Sequence, residues 1–325
     1  MRVIKSIMLT LALSAALLCL AACNDDPASS EAVYYDVTFN SAGGTEIESL
    51  RVLEGTVISK PSDPVKEGYI FDGWLNGNEK WNFESNKVTS NLTLTASWIN
   101  SKSIFEYTSA DGKITLTKYK GSLKSLKIPE VIDGYPVVAL GDSVFKGEEA
   151  DDLLELTVGK NITSIGNSAF YECVGTSIVI EGKLESVGEK AFFGCDGLKK
   201  VEFASGIAES PFEAFSGCTS LETVILSDTV SAIGENAFKN CAKLELLIIH
   251  PSLKKIYDSA FLNCSSLKSI YYYGSAEEWA LTEIAEGNEG NTAVIEATPY
   301  LYSEQEPESV GKYWYFDKKG NVRIW

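Results

Sequence analysis

A phrase recurs along the middle of this chain at a nearly fixed interval. Ala169-Phe170 with Cys173, Ala191-Phe192 with Cys195, Ala214-Phe215 with Cys218, Ala237-Phe238 with Cys241 and Ala260-Phe261 with Cys264 place successive cysteines 22, 23, 23 and 23 residues apart. Each unit continues with a Leu-x-x-Val-x-Leu stretch and a further apolar pair, as in Leu221, Val224, Leu226, Val230, Ile233, Ala237, Phe238 and Cys241. Internal repetition at 20 to 50 residues outranks local propensity, because a unit this short cannot bury its apolar face alone and must stack on its neighbours.

The spacing within a unit dictates its shape. Val-x-Leu alternates with period two and suits a short strand, whereas Ile233, Ala237 and Phe238 fall at the four-residue step of a helical turn. The expected fold is mainly β with short helical turns: a solenoid of parallel strands about 4.8 Å apart, with Phe and Cys ladders through a shared core. Its strands are placed at Leu126/Ile128, Leu156/Val158, Ile178/Ile180, Val201/Phe203, Val224/Leu226, Leu247/Ile249 and Ile270/Tyr272. The longer first interval predicts an insertion that bulges outward around Lys146–Asp152.

These motifs resemble the bacterial surface-antigen leucine-rich repeats of the Treponema pallidum type over residues 104–273. Two departures are visible: Val144-Phe145 replaces Ala-Phe in the first unit, which lacks the Cys, and Ser210 stands at an apolar position. Residues 274–325 are expected to form a C-terminal cap with a β-hairpin around Gly320, with Trp279, Trp314 and Trp325 covering the open end of the core.

Ahead of the repeats, residues 34–99 alternate in short runs broken by Gly43-Gly44, Gly55, Pro61, Pro64 and Gly68. A domain this small needs large side chains for its core, and Tyr69, Phe71, Trp74, Trp81, Phe83 and Trp98 are the candidates. The order Val-x-Phe, Gly-Gly, Pro-x-x-Pro, Gly68-Tyr69-x-Phe71-x-Gly73-Trp74 and Leu94-x-Ala96-x-Trp98 resembles the Listeria-Bacteroides repeat, a small β-grasp-like module. The resemblance implies a spacer or adhesive unit.

The N-terminus carries Arg2 and Lys5, an apolar run from Ile7 to Ala22, and then Cys23. That run is shorter than the roughly 20 residues of a membrane-spanning helix, so residues 1–22 are expected to be an export signal. Leu20-Ala21-Ala22-Cys23 resembles the lipobox of bacterial lipoproteins, which implies lipid attachment at Cys23 and a flexible tether over 23–33. Asn24-Asp25-Asp26 also resembles the surface-export signals of Bacteroidetes lipoproteins, which implies an outer-membrane, surface-exposed protein, with a periplasm-facing scaffold as the alternative.

Charge and composition exclude much of the rest. A net charge of −17 argues against nucleic acid, whose phosphates need basic surfaces. One His in 325 residues, no phosphate-binding Gly-rich loop and no nucleophile elbow leave neither a catalytic constellation nor a cofactor or metal site. The five repeat cysteines are expected to be shielded free thiols, since equivalent side chains in a ladder point the same way.

Binding remains, and the strand register says where. If Val224 and Leu226 point inward, Lys127, Thr157, Val179, Glu202, Ile225, Ile248 and Tyr271 form one outward column, flanked by Leu246, His250, Ser269 and Tyr273. The candidate protein-binding face is therefore Val179, Glu202, Ile225, Leu246, Ile248, His250, Tyr271 and Tyr273. Family resemblance implies host matrix or cell-surface proteins as partners, and a glycan held by exposed Trp and Tyr is the alternative.

Overall fold

The computed structural model describes residues 32–146, 150, 152–204, 206–285, 290–307 and 311–325. The export signal, Cys23, most of the tether and most of the Lys146–Asp152 insertion lie outside the described residues.

The N-terminal module is a five-stranded mixed sheet. Tyr34–Asn40 runs parallel to Leu92–Asn100 and antiparallel to Leu50–Leu53, and Tyr69–Asn76 closes the other side of Leu92–Asn100. Trp74 is fully buried, with Phe39 and Phe71 set edge-on at ring centroids 5.0 and 5.4 Å away. Tyr69 departs from expectation: it stays exposed beneath the Lys66 ammonium, while its neighbour Ile70 is buried in the repeat core. The reason is strand alternation, which turns Ile70 to the opposite face.

The repeats form a solenoid with two parallel sheets. The first carries the predicted strands: Ser125–Lys127, Glu155–Val158 and Ser177–Ile180 in one group, and Lys200–Glu202, Thr223–Ile225, Leu246–Ile249 and Ser269–Tyr272 in another. The apolar pair read as part of a helical turn belongs to a second sheet. Ser164–Ile165, Ser186–Val187, Glu209–Ser210, Ala232–Ile233 and Lys255–Ile256 are two-residue strands. The turn after each is not helical, because two residues in it are left-handed. One precedes the Ala (Ser168, Lys190, Glu213, Asn236, Ser259) and one precedes the Cys (Glu172, Gly194, Gly217, Asn240, Asn263). Side chains at the first position accept the strain of positive φ because the turn amides are tied to the next coil. Phe170, Phe192, Phe215 and Phe238 donate their backbone N–H to the carbonyls of Ala191, Ala214, Ala237 and Ala260 at 2.8–2.9 Å.

Inside, Phe145, Phe170, Phe192, Phe215, Phe238 and Phe261 stack in an unbroken column with centroids 4.9–5.4 Å apart and planes within 18°. The five cysteines are unpaired. Cys173, against expectation, is only half-buried. The other four are buried and do more than fill space: the thiols of Cys195, Cys218, Cys241 and Cys264 donate to the carbonyls of Phe170, Phe192, Phe215 and Phe238 in the preceding coil, at 2.9–3.2 Å. Burial pushes these thiols well above their ordinary pKa, Cys264 to about 12. Ser210 is fully buried, and its hydroxyl has no partner.

The column is closed at both ends. Phe105 and Tyr119, on the hairpin Phe105–Ala110 and Lys113–Tyr119, pack on Phe145. At the other end the tail adds a further coil: Glu283–Ile284 pairs with Lys255–Ile256, and Thr298–Tyr302 pairs with Ser269–Tyr272. There Asn291, 1% exposed, does what the next repeat's backbone would do. Its Oδ1 accepts the Phe261 N–H at 3.1 Å, and its Nδ2 donates to the carbonyls of Tyr257 and Ala285 at 2.9 Å. Trp279 packs on Tyr272 as expected of an end cap. Trp325 does not: it is 42% exposed and stacks on Tyr315 at 4.3 Å, because its strand, Val322–Ile324, lies at the sheet's far edge.

Two outcomes test this packing. Phe215→Ala, which opens a hole between two stacked rings, should cost about 3–5 kcal/mol in chemical denaturation. Asn291→Ala should cost about 2–4 kcal/mol by leaving buried backbone groups unpaired, with hydrogen exchange at the Phe261 amide accelerated more than at Phe215.

Candidate functional site

The outward positions do not form one column. Lys127, Thr157 and Val179 lie on the three-stranded group, while Glu202, Ile225, Ile248 and Tyr271 lie on a separate seven-stranded sheet. Val179, 52% exposed, is therefore on a different sheet from the rest of the candidate face.

Glu202 begins the C-terminal sheet. Burial pushes its carboxyl pKa up, but Lys183 at 2.7 Å and Lys200 at 3.3 Å outweigh this and leave it lower than usual. Ile225 and Leu246 are half-buried. Ile248 departs from expectation: it is fully buried, yet it is not among the interior side chains. It sits in register between Ile225 and Tyr271, so large neighbours on both flanking strands enclose it. Alternation along a strand gives the direction of a side chain but not what covers it.

The tail supplies the rest of this face. Strand Thr298–Tyr302 sets Tyr300 beside Tyr271, with rings stacked at 5.5 Å, and Tyr313–Phe316 sets Trp314 beside Tyr302. Trp314 is fully buried without joining the interior core, so it does not cover the open end of the solenoid. It folds back over the outer face, edge-on to Tyr271, Tyr273, Tyr302 and Phe316 at 5.0–5.7 Å, and its indole N–H donates to the Tyr272 carbonyl at 3.3 Å. His250 stacks on Tyr273 at 4.2 Å. Burial lowers the His250 pKa, partly opposed by Asp228. Burial, with Tyr302 alongside, raises the Tyr273 hydroxyl to about 12.

The repeat register does not reach Tyr300, Tyr302 and Phe316, and Trp314, expected over the open end of the core, lies on this face instead. The signal was present: Tyr300-x-Tyr302 and Trp314-x-Phe316 continue the two-residue alternation of Tyr271-x-Tyr273. Half-buried tyrosines fixed by their neighbours offer contact area at little further entropic cost. Among the described residues, no group of three or more His, Cys, Asp or Glu is placed to hold a metal ion. No described helix is long and apolar enough to cross a membrane.

Removing Trp314 should loosen the cluster. In Trp314→Ala the Tyr273 pKa should fall from about 12 toward its ordinary value near 10, read by ultraviolet titration against Tyr273→Phe. Because the folded-state pKa is raised, Tyr273 favours the fold below pH 10 and loses that contribution as pH climbs toward 12. Tyr273→Phe should flatten stability across that window.

Comparison with known proteins agrees with this architecture. Residues 118–213 and 138–268 match the BspA type leucine rich repeat region, in six copies, and residues 35–97 match the Listeria-Bacteroides repeat domain. Internalin H of Listeria monocytogenes is 32% identical over 124 residues, 35% of this chain and 22% of that protein. An Evansella cellulosilytica protein described as a Gly-rich membrane protein is 40% identical over 77 residues, 23% of this chain. The chain spans only 8% of that relative's length. Among solved structures, a leucine-rich cell surface protein of Faecalibacterium prausnitzii is 24% identical with a TM-score of 0.41, covering 68% of this chain and 59% of that one. The T. pallidum leucine-rich repeat protein is 24% identical with a TM-score of 0.36, covering 52% and 69%. This chain carries a BspA type leucine rich repeat region over residues 118–268 and, ahead of it, a Listeria-Bacteroides repeat domain over residues 35–97.

Proposed function

We propose that the protein binds a protein ligand on the outer face of its C-terminal sheet and serves as an adhesive module of the bacterial surface, held to the envelope through lipid at Cys23. The observation that carries this reading is the cluster of half-buried Tyr271, Tyr273 and Tyr302 locked around Trp314, with half-buried Tyr300 stacked on Tyr271, on a face that the interior does not use. Rigid aromatic contact area of this kind suits a protein partner, with Ile225 and Leu246 as its apolar margin. Matrix or host cell-surface proteins are the ligand class that the family resemblance favours. Under this reading Val179 lies outside the principal contact, and Ile248 supports the face from beneath.

A glycan ligand is the second reading, favoured by the stacked pair Tyr315 and Trp325, whose indole is 42% exposed. The same full chain, screened against immobilised matrix proteins and against polysaccharides, separates the two. Protein binding that drops at least tenfold in Ile225→Ser/Tyr273→Ser and is unchanged in Trp325→Ala supports the first reading. Polysaccharide binding lost in Trp325→Ala supports the second. Cys23→Ser should release the protein from the membrane fraction of cells, and retention there would discard the lipid anchor.

A further inference from the structure

Both strand ladders of the solenoid are interrupted, and at the same place, between the same two coils. Ser177–Ile180 pairs with Glu155–Val158 on one side only, and Lys200–Glu202 pairs only with Thr223–Ile225. In the second sheet, Ser186–Val187 ends one group and Glu209–Ser210 begins the next.

The cause is legible in the coil lengths. From the Cys to the first inward residue of the following strand is six residues in four units: Cys195 to Val201, Cys218 to Val224, Cys241 to Leu247 and Cys264 to Ile270. From Cys173 to Ile178 it is five. The missing residue accounts for the single 22-residue spacing, and in this unit Thr176 stands, three after the Cys, where Leu198, Leu221, Leu244 and Leu267 stand in the others. Thr176 is buried there and spends its hydroxyl on the Leu153 carbonyl at 2.7 Å.

A short turn stacked on a full-length one cannot match it amide for amide. The neighbouring turn instead crowds in so closely that a Cβ on Gly197 would collide with the Thr176 carbonyl. Across the gap the pairing slips. Leu184, equivalent by coil position to Ile207, bridges Phe203: its N–H donates to the Glu202 carbonyl at 3.1 Å, and its carbonyl accepts from Ala204 at 2.8 Å.

The inner column is undisturbed at this point. Across the break Phe192 to Phe215 is 5.2 Å, the Cys218 thiol still reaches the Phe192 carbonyl at 3.1 Å, and the Phe192 N–H still donates to the Ala214 carbonyl at 2.8 Å. We propose that the solenoid is two rigid halves joined by a hinge between the coils of Ser177–Val187 and Lys200–Ser210, with the continuous Phe and Cys column as its axis. Sheet ladders resist bending, while the stacked rings and the turn amides beside them, which cross the break from Phe192 to Ala214, lie along one edge and tolerate small rotations, so flexion concentrates where both sheet ladders are interrupted. The hinge varies the angle between the face holding Val179 and the aromatic face, whatever ligand either one takes.

Spin labels in a Cys173→Ala background test this directly. One pair, Glu155→Cys with Lys199→Cys, spans two coils across the break; the other, Glu222→Cys with Lys268→Cys, spans two coils within one sheet. The distance distribution across the break should be at least twice as wide. Inserting one Lys after residue 176 together with Thr176→Leu, which restores the six-residue spacing, should narrow it to the within-sheet width. Equal widths in the uncorrected chain would overturn the proposal, as would a repaired chain that stays folded by circular dichroism yet keeps the broad distribution.

Discussion

Four interior Phe carbonyls in this solenoid, those of Phe170, Phe192, Phe215 and Phe238, each serve two donors, and the remaining order depends on that pairing. The Phe192 carbonyl accepts the N–H of Cys195 in its own turn at 3.1 Å and the thiol of Cys218 in the next coil, also at 3.1 Å. The Phe215 and Phe238 carbonyls repeat the arrangement with Cys218 and Cys241, and with Cys241 and Cys264. A buried carbonyl has two lone pairs to satisfy, and a thiol satisfies the second one weakly while remaining apolar enough for a dry interior. Cys recurs beside the Phe for this reason: Ala would lack the donor, and Ser would bring a more strongly hydrated group inside.

Stacking then follows from local geometry. The bonds from each coil to the next hold the left-handed turn residues in place, and those turns aim the Phe rings along one axis. Such a column needs ends that are not repeats. The hairpin carrying Phe105 and Tyr119 supplies one, and the Asn291 side chain supplies the other by imitating a backbone it does not continue. The same tail then crosses to the outer face, where Trp314 turns a row of strand tyrosines into a fixed aromatic surface.

Much of this was legible in the residues. Strand positions follow from Val-x-Leu alternation, and the core column follows from the Phe and Cys interval, because both are periodic and the physics of stacking is periodic too. The two-residue strands at Ile165, Val187, Ile233 and Ile256 were not legible, since an apolar pair three or four apart also fits a helical turn. Left-handed backbone at Ser168, Lys190 and Glu213 is imposed by bonds between coils rather than by those residue types. The candidate face was half legible: Tyr271 and Tyr273 were placed by register. Burial of Ile248 comes from its register neighbours Ile225 and Tyr271, which alternation alone does not reveal, and the role of Trp314 depended on tail strands that join the sheet from outside the repeat.

The account rests on one dry, continuous interior, and the rate at which its thiols become reactive tests that most directly. Alkylation of the native protein, followed site by site with mass spectrometry, should leave Cys195, Cys218, Cys241 and Cys264 unmodified until unfolding, then label all four at rates that track it. Rapid labelling of any one of these four in the native state, or disulfide-linked pairs among them, would contradict the account.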